Sequence, residues 1–508
     1  MRIVYPWQHD YVEGLVLYIS HLLNNGVNIY AAKPSVDSFT AASYPLLAFM
    51  PTALINLFST NSAASLVFSR LIFFTASLCN LTLAYYLAAN GKRFTGYLAI
   101  LILLCLRPFT YWSCLIRVDV LALTFILLSL YAFQTRRFTL LVLSLSLTLL
   151  IKQQYLDLPL ALILCSLSKL DKEALKSISI SVGLVALSYA LFEYVFPGFL
   201  KSILFYNLLH AKSFFHACKI FYYAYGYEPW ALAMLTFALA TSLHRVVVKR
   251  DLNVIYVYML INVFFSFAAS LKLGSNTNYY IVSSALTAII LSKFLQSHNI
   301  NRLSKDRQAL LIVVFLFSAA MWNIVNVAGF NLETYREGMA TVRVFQDLKC
   351  GKLVWCDNLL IAYLANLKVS IDPFYYTQLV EAHVLPDVSE LNWDIYALIW
   401  TGNPYRVTSG VEALVDEGVL TLAYSSEYLS VYVSPEIADD VITAFSKQYA
   451  VYYLESLRGA FHAMDQLLRA LKSTMEFWKV LAYSSIVIYS FLSISSHAGG
   501  RRACMEDV

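Results

Sequence analysis

Over roughly its first two thirds the chain alternates long apolar runs with short polar breaks, and then the rhythm changes. Ten runs approach the roughly 20 apolar residues that a membrane-crossing helix needs. They lie near 62–90, 94–112, 118–134, 138–151, 155–168, 177–197, 229–247, 253–271, 279–296 and 309–328, the fourth and fifth being short. An eleventh, weaker run covers 477–494. The segment 44–58, "YPLLAFMPTALINLF", is apolar but interrupted by Pro45 and Pro51 and too short to span. With 11–30 it reads as helices lying along the outer membrane surface.

After Phe330 the runs shorten. "KLVWCD", "LKVSID", "YALIWTG", "TLAYSS" and "LSVYVS" alternate apolar residues with polar turns, the signature of short strands. Helical candidates at 336–348 and 374–383 lie between them, and 436–476 reads as an amphipathic helical stretch. The pattern predicts a polytopic α-helical membrane protein of about 10–11 transmembrane helices with a small extracytoplasmic α/β domain. Its expected parts are a transmembrane catalytic domain at 1–330 with a first outer loop at 1–61, the α/β domain at 331–435, and a helical tail at 436–508.

Composition agrees with that reading and excludes others. Charged residues make up 14% of the chain, against about 25% in soluble domains. The net charge is only +5, with no basic run long enough for a nucleic-acid patch. Eight cysteines are scattered, without a CxxC pair or a His/Cys cluster at zinc spacing.

Charge also sets sidedness. Lys92 and Arg93, Arg136 and Arg137, Lys169 to Lys176, Arg245 to Arg250, and Arg302 to Arg307 occupy every second connection. By the positive-inside rule these face the cytoplasm. The N-terminal region, the turns at Arg117–Asp119, Lys152–Gln154 and Lys272–Asn278, and the loop 198–228 then face outward. This topology leaves residues 1–9 outside with neither a signal peptide nor a span ahead of Asp10, so a first helix is expected to be missing from the chain.

Every outward connection carries ionisable groups. Asp10 and Glu13 stand at i and i+3, on one face if the stretch is helical, or they serve as charges favoured at a helix N-terminus. Arg117 and Asp119 begin a span, Lys152 ends one, and Lys272 precedes Asn276, Asn278 and Tyr279. Snorkelling and capping are the structural alternatives for these residues. Loop 198–228 adds His210, Lys212 and His216 among many aromatics, suited to an interfacial anchor or to a lipid-phosphate site. An outer-leaflet enzyme acting on an anionic lipid needs this mixture: cations for the phosphate, a carboxylate for the proton. A transporter or flippase of a lipid-linked or small anionic substrate is the alternative, although no internal repeat is visible. A noncatalytic binding or assembly subunit is a third reading.

The stretch "DYVEGLVLYISHLLNNGVNIY", followed by "YPLLAFMPTALINLF", resembles the first outer loop of GT-C glycosyltransferases, notably protein O-mannosyltransferases and lipid A aminoarabinose transferases. The shared features are the acidic motif at Asp10 and Glu13, then Gly26 to Tyr30, then a surface helix led by Tyr44–Pro45. "RVDVLAL", "KQQYLDLP" and "KLGSNTNYY" also resemble segments of bacterial and archaeal members. The class normally has a helix before the acidic loop, and its two acids are often adjacent rather than three apart.

The resemblance implies a GT-C-like fold and an inverting transfer of a sugar from a polyprenyl-phosphate donor, without nucleic acid. The acceptor implied is a glycan, lipid or protein, and the setting a bacterial or archaeal plasma membrane with the site facing outward. It implies Asp10 as first and Glu13 as second choice for the base. Asp119 would orient the acceptor or hold a divalent cation with Asp10; no cofactor is certain. Arg117, Lys152 and Lys272 are the implied phosphate ligands, with Lys212 and His210 weaker. Tyr44, Asn276, Asn278 and Tyr279 are the implied pocket residues.

Overall fold

A computed structural model describes residues 2–3, 7–30, 42–59, 61–297, 307–327, 332–348, 353–356, 358–369, 397–400, 414–426 and 429–452. The expected helix at 374–383, the run at 477–494 and the stretch 453–476 lie outside the described residues.

Ten helices take up the ten apolar runs. They are α3 (Ser62–Ala89), α4 (Arg93–Leu104), α6 (Val118–Gln134), α7 (Phe138–Ile151), α8 (Asp157–Ser168), α9 (Lys172–Val195), α11 (Pro229–Leu243), α12 (Val254–Ser270), α13 (Ile281–Ser297) and α14 (Arg307–Val327). Ahead of them come α1 (Tyr11–Asn24) and α2 (Met50–Phe58); the short α5 (Arg107–Trp112) and α10 (Phe214–Phe221) sit in connections. Among the described residues, 62–89, 172–195, 229–248 and 277–296 are each long and apolar enough to cross a membrane, and shorter apolar helices complete the bundle. The chain is a polytopic membrane protein.

The expected span 94–112 divides into α4 and α5. Pro108 disfavours a helical Leu106–Arg107 junction upstream of it and sits instead in the first turn of a new helix. The two short runs stay short: α7 has 14 residues and α8 has 12. At 1.5 Å per residue they fall below the roughly 30 Å hydrocarbon thickness. The turn that joins them is therefore recessed into the bundle, and Lys152 in it is almost fully buried.

The two ends of the bundle also differ in backbone geometry. Asn90, Arg136, Leu170 and Arg250 close helices in the left-handed region and all belong to the basic connections. The acidic and amide-rich turns occupy the opposite end of the bundle, where α6 and α13 begin and α7 and α12 finish.

Helix α1 is not a surface helix, contrary to the reading of 11–30 as a helix along the outer membrane surface. Residues Glu13 to Ser20 are buried consecutively, on all sides. The reason is that α1 lies between the bundle and a small α/β unit. That unit contains α15 (Leu332–Asp347), β1 (Leu353–Cys356), α16 (Leu359–Ala365), β2 (Lys368–Val369), β3 (Ala397–Trp400), β4 (Thr421–Ser425), β5 (Ser430–Val433) and α17 (Ala438–Tyr452). All five strand motifs form strands, in the order β2-β1-β3-β5-β4. β1 runs parallel to β2 and β3, with Val354 opposite Ala397, and β5 runs antiparallel to β3 and β4.

α16 packs directly on α1. Gly14 makes this possible: a Cβ there would lie 2.6 Å from the Leu360 backbone nitrogen and 2.5 Å from Gln8 Oε1. Tyr363 donates to Asn56 Oδ1 at 2.8 Å and ties α16 to α2 as well. α2 does keep a surface face, with Leu57 and Phe58 strongly exposed, as an interfacial helix requires.

Candidate active site

The end of the bundle that carries α1 encloses a cavity of about 270 Å³. Asp10, Tyr44, Arg117, Lys272, Asn276, Asn278 and Tyr279 all contribute to its wall. These come from four separate places in the sequence, brought together because α6 begins, and α12 ends, at this level.

Asp10 is the N-cap of α1. Its extended backbone leaves the side chain free to accept from Val12 N at 3.0 Å, satisfying one of the orphan donors of the first turn. The same Oδ1 faces Arg117 Nη2 at 2.6 Å. Among the described residues Oδ2 accepts no hydrogen bond. Arg117 stacks its guanidinium over Trp112 at 4.3 Å from the ring centroid. Its Nε, though buried, has no partner among the described residues. This cation is thus held flat by an aromatic face and a carboxylate, with donor capacity left over.

Lys272 stands across the cavity. It donates to Asn207 Oδ1 at 2.8 Å and has no carboxylate partner among the described residues. Burial pushes its ammonium down to about 7, with the nearby Lys152 charge acting in the same direction. Its position is fixed by a two-stranded backbone clasp: Ser213 N donates to Leu271 O at 2.7 Å and Leu273 N to Ala211 O at 2.9 Å. Lys212 forms the bridge opposite Lys272.

A second layer lies behind the wall. Asp119 is completely buried. Its Oδ1 accepts from Lys152 in a short contact and from Tyr155 at 3.1 Å, and its Oδ2 accepts from Asn278 at 2.8 Å. Lys152 also sits 4.8 Å from the ring centroid of Tyr279. Both oxygens of Asp119 are therefore taken by Lys152, Tyr155 and Asn278, and Asp10 Oδ1 by Arg117 and Val12 N. The donor set does not fit a divalent cation held by that pair. Among the described residues no group of three His, Cys, Asp or Glu could hold one either.

Glu13 points away from the cavity, although it is only three residues from Asp10. It forms a fully buried pair with Arg70, whose Nε and Nη2 each meet a carboxylate oxygen at 2.8 Å. His9 N at 2.8 Å and Ile116 N at 3.2 Å complete its coordination. Burial by itself would raise this carboxyl, but the charge and hydrogen bonds of Arg70, helped by His9, bring it down to about 2. Arg70 also donates to the Trp7 carbonyl at 2.6 Å and the Arg2 carbonyl at 3.0 Å. The pair fastens the chain ahead of α1 to α3.

Of the residues singled out by sequence, Asp10, Arg117, Lys272, Tyr44, Asn276, Asn278 and Tyr279 share the cavity. Asp119 and Lys152 stand directly behind it. Glu13, Lys212 and His210 are not part of its wall; His210 is buried elsewhere in the loop, and His216 contacts the Ser275 carbonyl at 3.3 Å. Glu13, the second choice for the base, has both oxygens saturated by Arg70, His9 N and Ile116 N, which suits a structural role. Sequence reasoning missed Arg70, Asn207 and Gln154. Arg70 had a signal: a lone arginine within an apolar run needs a buried partner.

No protein-family model matches the sequence, and no curated protein matches it. Solved structures do. The crystal structure of ArnT from Cupriavidus metallidurans bound to undecaprenyl phosphate superimposes with a TM-score of 0.56 at 12% identity, covering 83% of this chain and 93% of that one. The apo form of the same enzyme gives 0.52 at 13% identity, covering 83% and 92%. The chain therefore carries the polytopic GT-C fold, with its helical bundle and small sheet, as the motif resemblance implied.

Proposed function

We propose that the protein is an integral-membrane glycosyltransferase that moves a sugar from a polyprenyl-phosphate donor to an acceptor, with inversion, on the extracytoplasmic face. The observation that carries this reading is the cavity in which one carboxylate, Asp10, faces two cations, Arg117 and Lys272. The GT-C fold supports it, and so does the undecaprenyl phosphate bound by the ArnT structure. Alternation of the basic connections supports the outward orientation.

In this mechanism Arg117 and Lys272 hold the lipid phosphate and stabilise the charge that grows on it as the glycosidic bond breaks. Asp10 takes the proton of the acceptor hydroxyl or amine as that atom attacks the anomeric carbon from the opposite side. The base forms no covalent bond to the sugar, so configuration inverts. Tyr44, Asn276 and Tyr279 shape the sugar pocket. Asn278 and Asp119 act as positioning residues: through them the Lys152 charge is neutralised and the Asn276–Tyr279 turn is fixed. The sugar and the acceptor are left open by this reading.

The test is Asp10→Asn in the purified protein, assayed with polyprenyl-phosphate sugars. Transfer should fall by about 10²–10⁴-fold, the usual contribution of a general base. Asparagine keeps the cap of α1, but it takes the carboxylate from the buried Arg117, so thermal stability should fall as well and transfer is compared at a temperature where the variant stays folded. Transfer at the wild-type rate would sink the assignment, and movement of a lipid-linked substrate across liposomes without product would favour transport instead.

A further inference from the structure

A second cavity, of about 450 Å³, opens at the other end of the bundle. It is bounded by the end of α3, the end of α6, the α8–α9 turn, the start of α12 and the last part of α13. Helix α6 has 17 residues, so this cavity lies about 25 Å from the first along the bundle. None of the groups that line it takes part in the proposed chemistry.

Three cations face this space: Arg136, Lys169 and Lys293. One acid, Asp171, answers them, and it is already committed. It caps α9 by accepting from Ala174 N at 3.1 Å and pairs loosely with Arg136 at 3.6 Å. Asp251 attracts Lys293 but does not come within ion-pair distance of it. Lys169 and Lys293 have no ion-pair partner among the described residues. Lys293 is half-buried and is the only charged residue on its helix, an expensive place for an unpaired ammonium. Amide groups of Gln134 and Asn253 and the rings of Tyr86 and Tyr131 complete the wall. Tyrosines with arginine and lysine at this level mark headgroup depth.

We propose that this cavity binds a phosphate ester, supplied by the headgroup of an anionic phospholipid of the inner leaflet. Basic pockets between transmembrane helices on the cytoplasmic side suit such headgroups, and each juxtamembrane cation adds to the attraction. The phosphate sits between Lys169 and Lys293, Arg136 closes the solvent side, and the exposed apolar faces of α3 and α8 receive the acyl chains. The site fixes the ends of six helices through one ligand.

Native mass spectrometry of the full-length protein tests this, with phosphatidylglycerol or phosphatidylcholine as the added lipid. The wild type should retain phosphatidylglycerol and release phosphatidylcholine. Each cation removed should weaken retention about fivefold. The double variant Lys169→Gln/Lys293→Gln should therefore lose roughly 25-fold, and Lys169→Arg/Lys293→Arg should retain the lipid. Lys169 is exposed, so Lys169→Gln alone gives a reading even if the double variant does not fold. Inorganic phosphate that protects the wild type, but not the double variant, against thermal unfolding would support the same site with a soluble source. Equal retention of phosphatidylglycerol by wild type and double variant would overturn the proposal.

Discussion

Replacement of Glu13 by glutamine separates a structural acid from a chemical one. The carboxylate is fully buried and meets two nitrogens of Arg70, so its loss strands a guanidinium in the protein interior. Two independent routes give the magnitude. Removing one partner of a buried pair costs about 3–5 kcal/mol. The fall of the Glu13 carboxyl from 4.5 to about 2 is worth on the order of 3 kcal/mol, at about 1.4 kcal/mol per unit.

The sign follows from the direction of that shift. A depressed carboxyl contributes its full stabilisation above its unfolded value, near pH 4.5, and loses it as the pH falls toward about 2. Chemical denaturation in detergent at pH 7 should show Glu13→Gln unfolding at clearly lower denaturant. Its stability should also lack the wild-type decline between about pH 4.5 and 2. Arg70→Met should cost a similar amount. Because the double variant Glu13→Gln/Arg70→Met buries no unpaired charge, it should recover part of the loss. A Glu13→Gln protein as stable as the wild type but inactive would refute this reasoning and return Glu13 to the chemistry.

Other outcomes follow from the same geometry. Donor affinity should fall as the pH rises above about 7, because the buried Lys272 ammonium holds its charge only below that point and the charged form binds phosphate; in Lys272→Arg the profile measured by donor titration should stay flat to pH 9. Lys152→Met leaves Asp119 buried and uncompensated, and should lower stability by about 3–5 kcal/mol in thermal unfolding, with part restored by adding Asp119→Asn. Gly14→Ala drives a methyl group into the Leu360 backbone, and should cost about 1–3 kcal/mol through separation of α1 from α16.

The large divisions of the fold were legible because bilayer and sheet each impose a strong period. Runs near 20 residues became α3 and α9, and alternating four-residue runs became β1 and β5. Proline at 108 was a readable break that a hydropathy count smoothed over. The enclosure of α1 was not readable. Its amphipathic edges looked interfacial, and only the docking of α16, over 330 residues away in the chain, explains why Glu13 to Ser20 are buried together. The site divided in the same way. Asp10, Arg117 and Lys272 could be picked out because each stands in a short polar break beside an apolar run. The roles of Glu13 and Arg70 could not, because their pairing spans 57 residues and nothing local favours it over a pairing with Arg117.

One consequence lies in the doubled duty of Asp10. The carboxylate proposed as base is also the cap of α1, and both the cap and the Arg117 contact use Oδ1. A proton arriving from the acceptor neutralises the group that holds the first turn. A neutral oxygen can still accept at the cap, but each turnover would briefly weaken the Arg117 pairing at the end of a helix that is wedged between the bundle and the α/β unit. Chemistry at the carboxylate and grip on the α/β unit would then be two readouts of a single protonation, and the return of the proton to solvent would reset both.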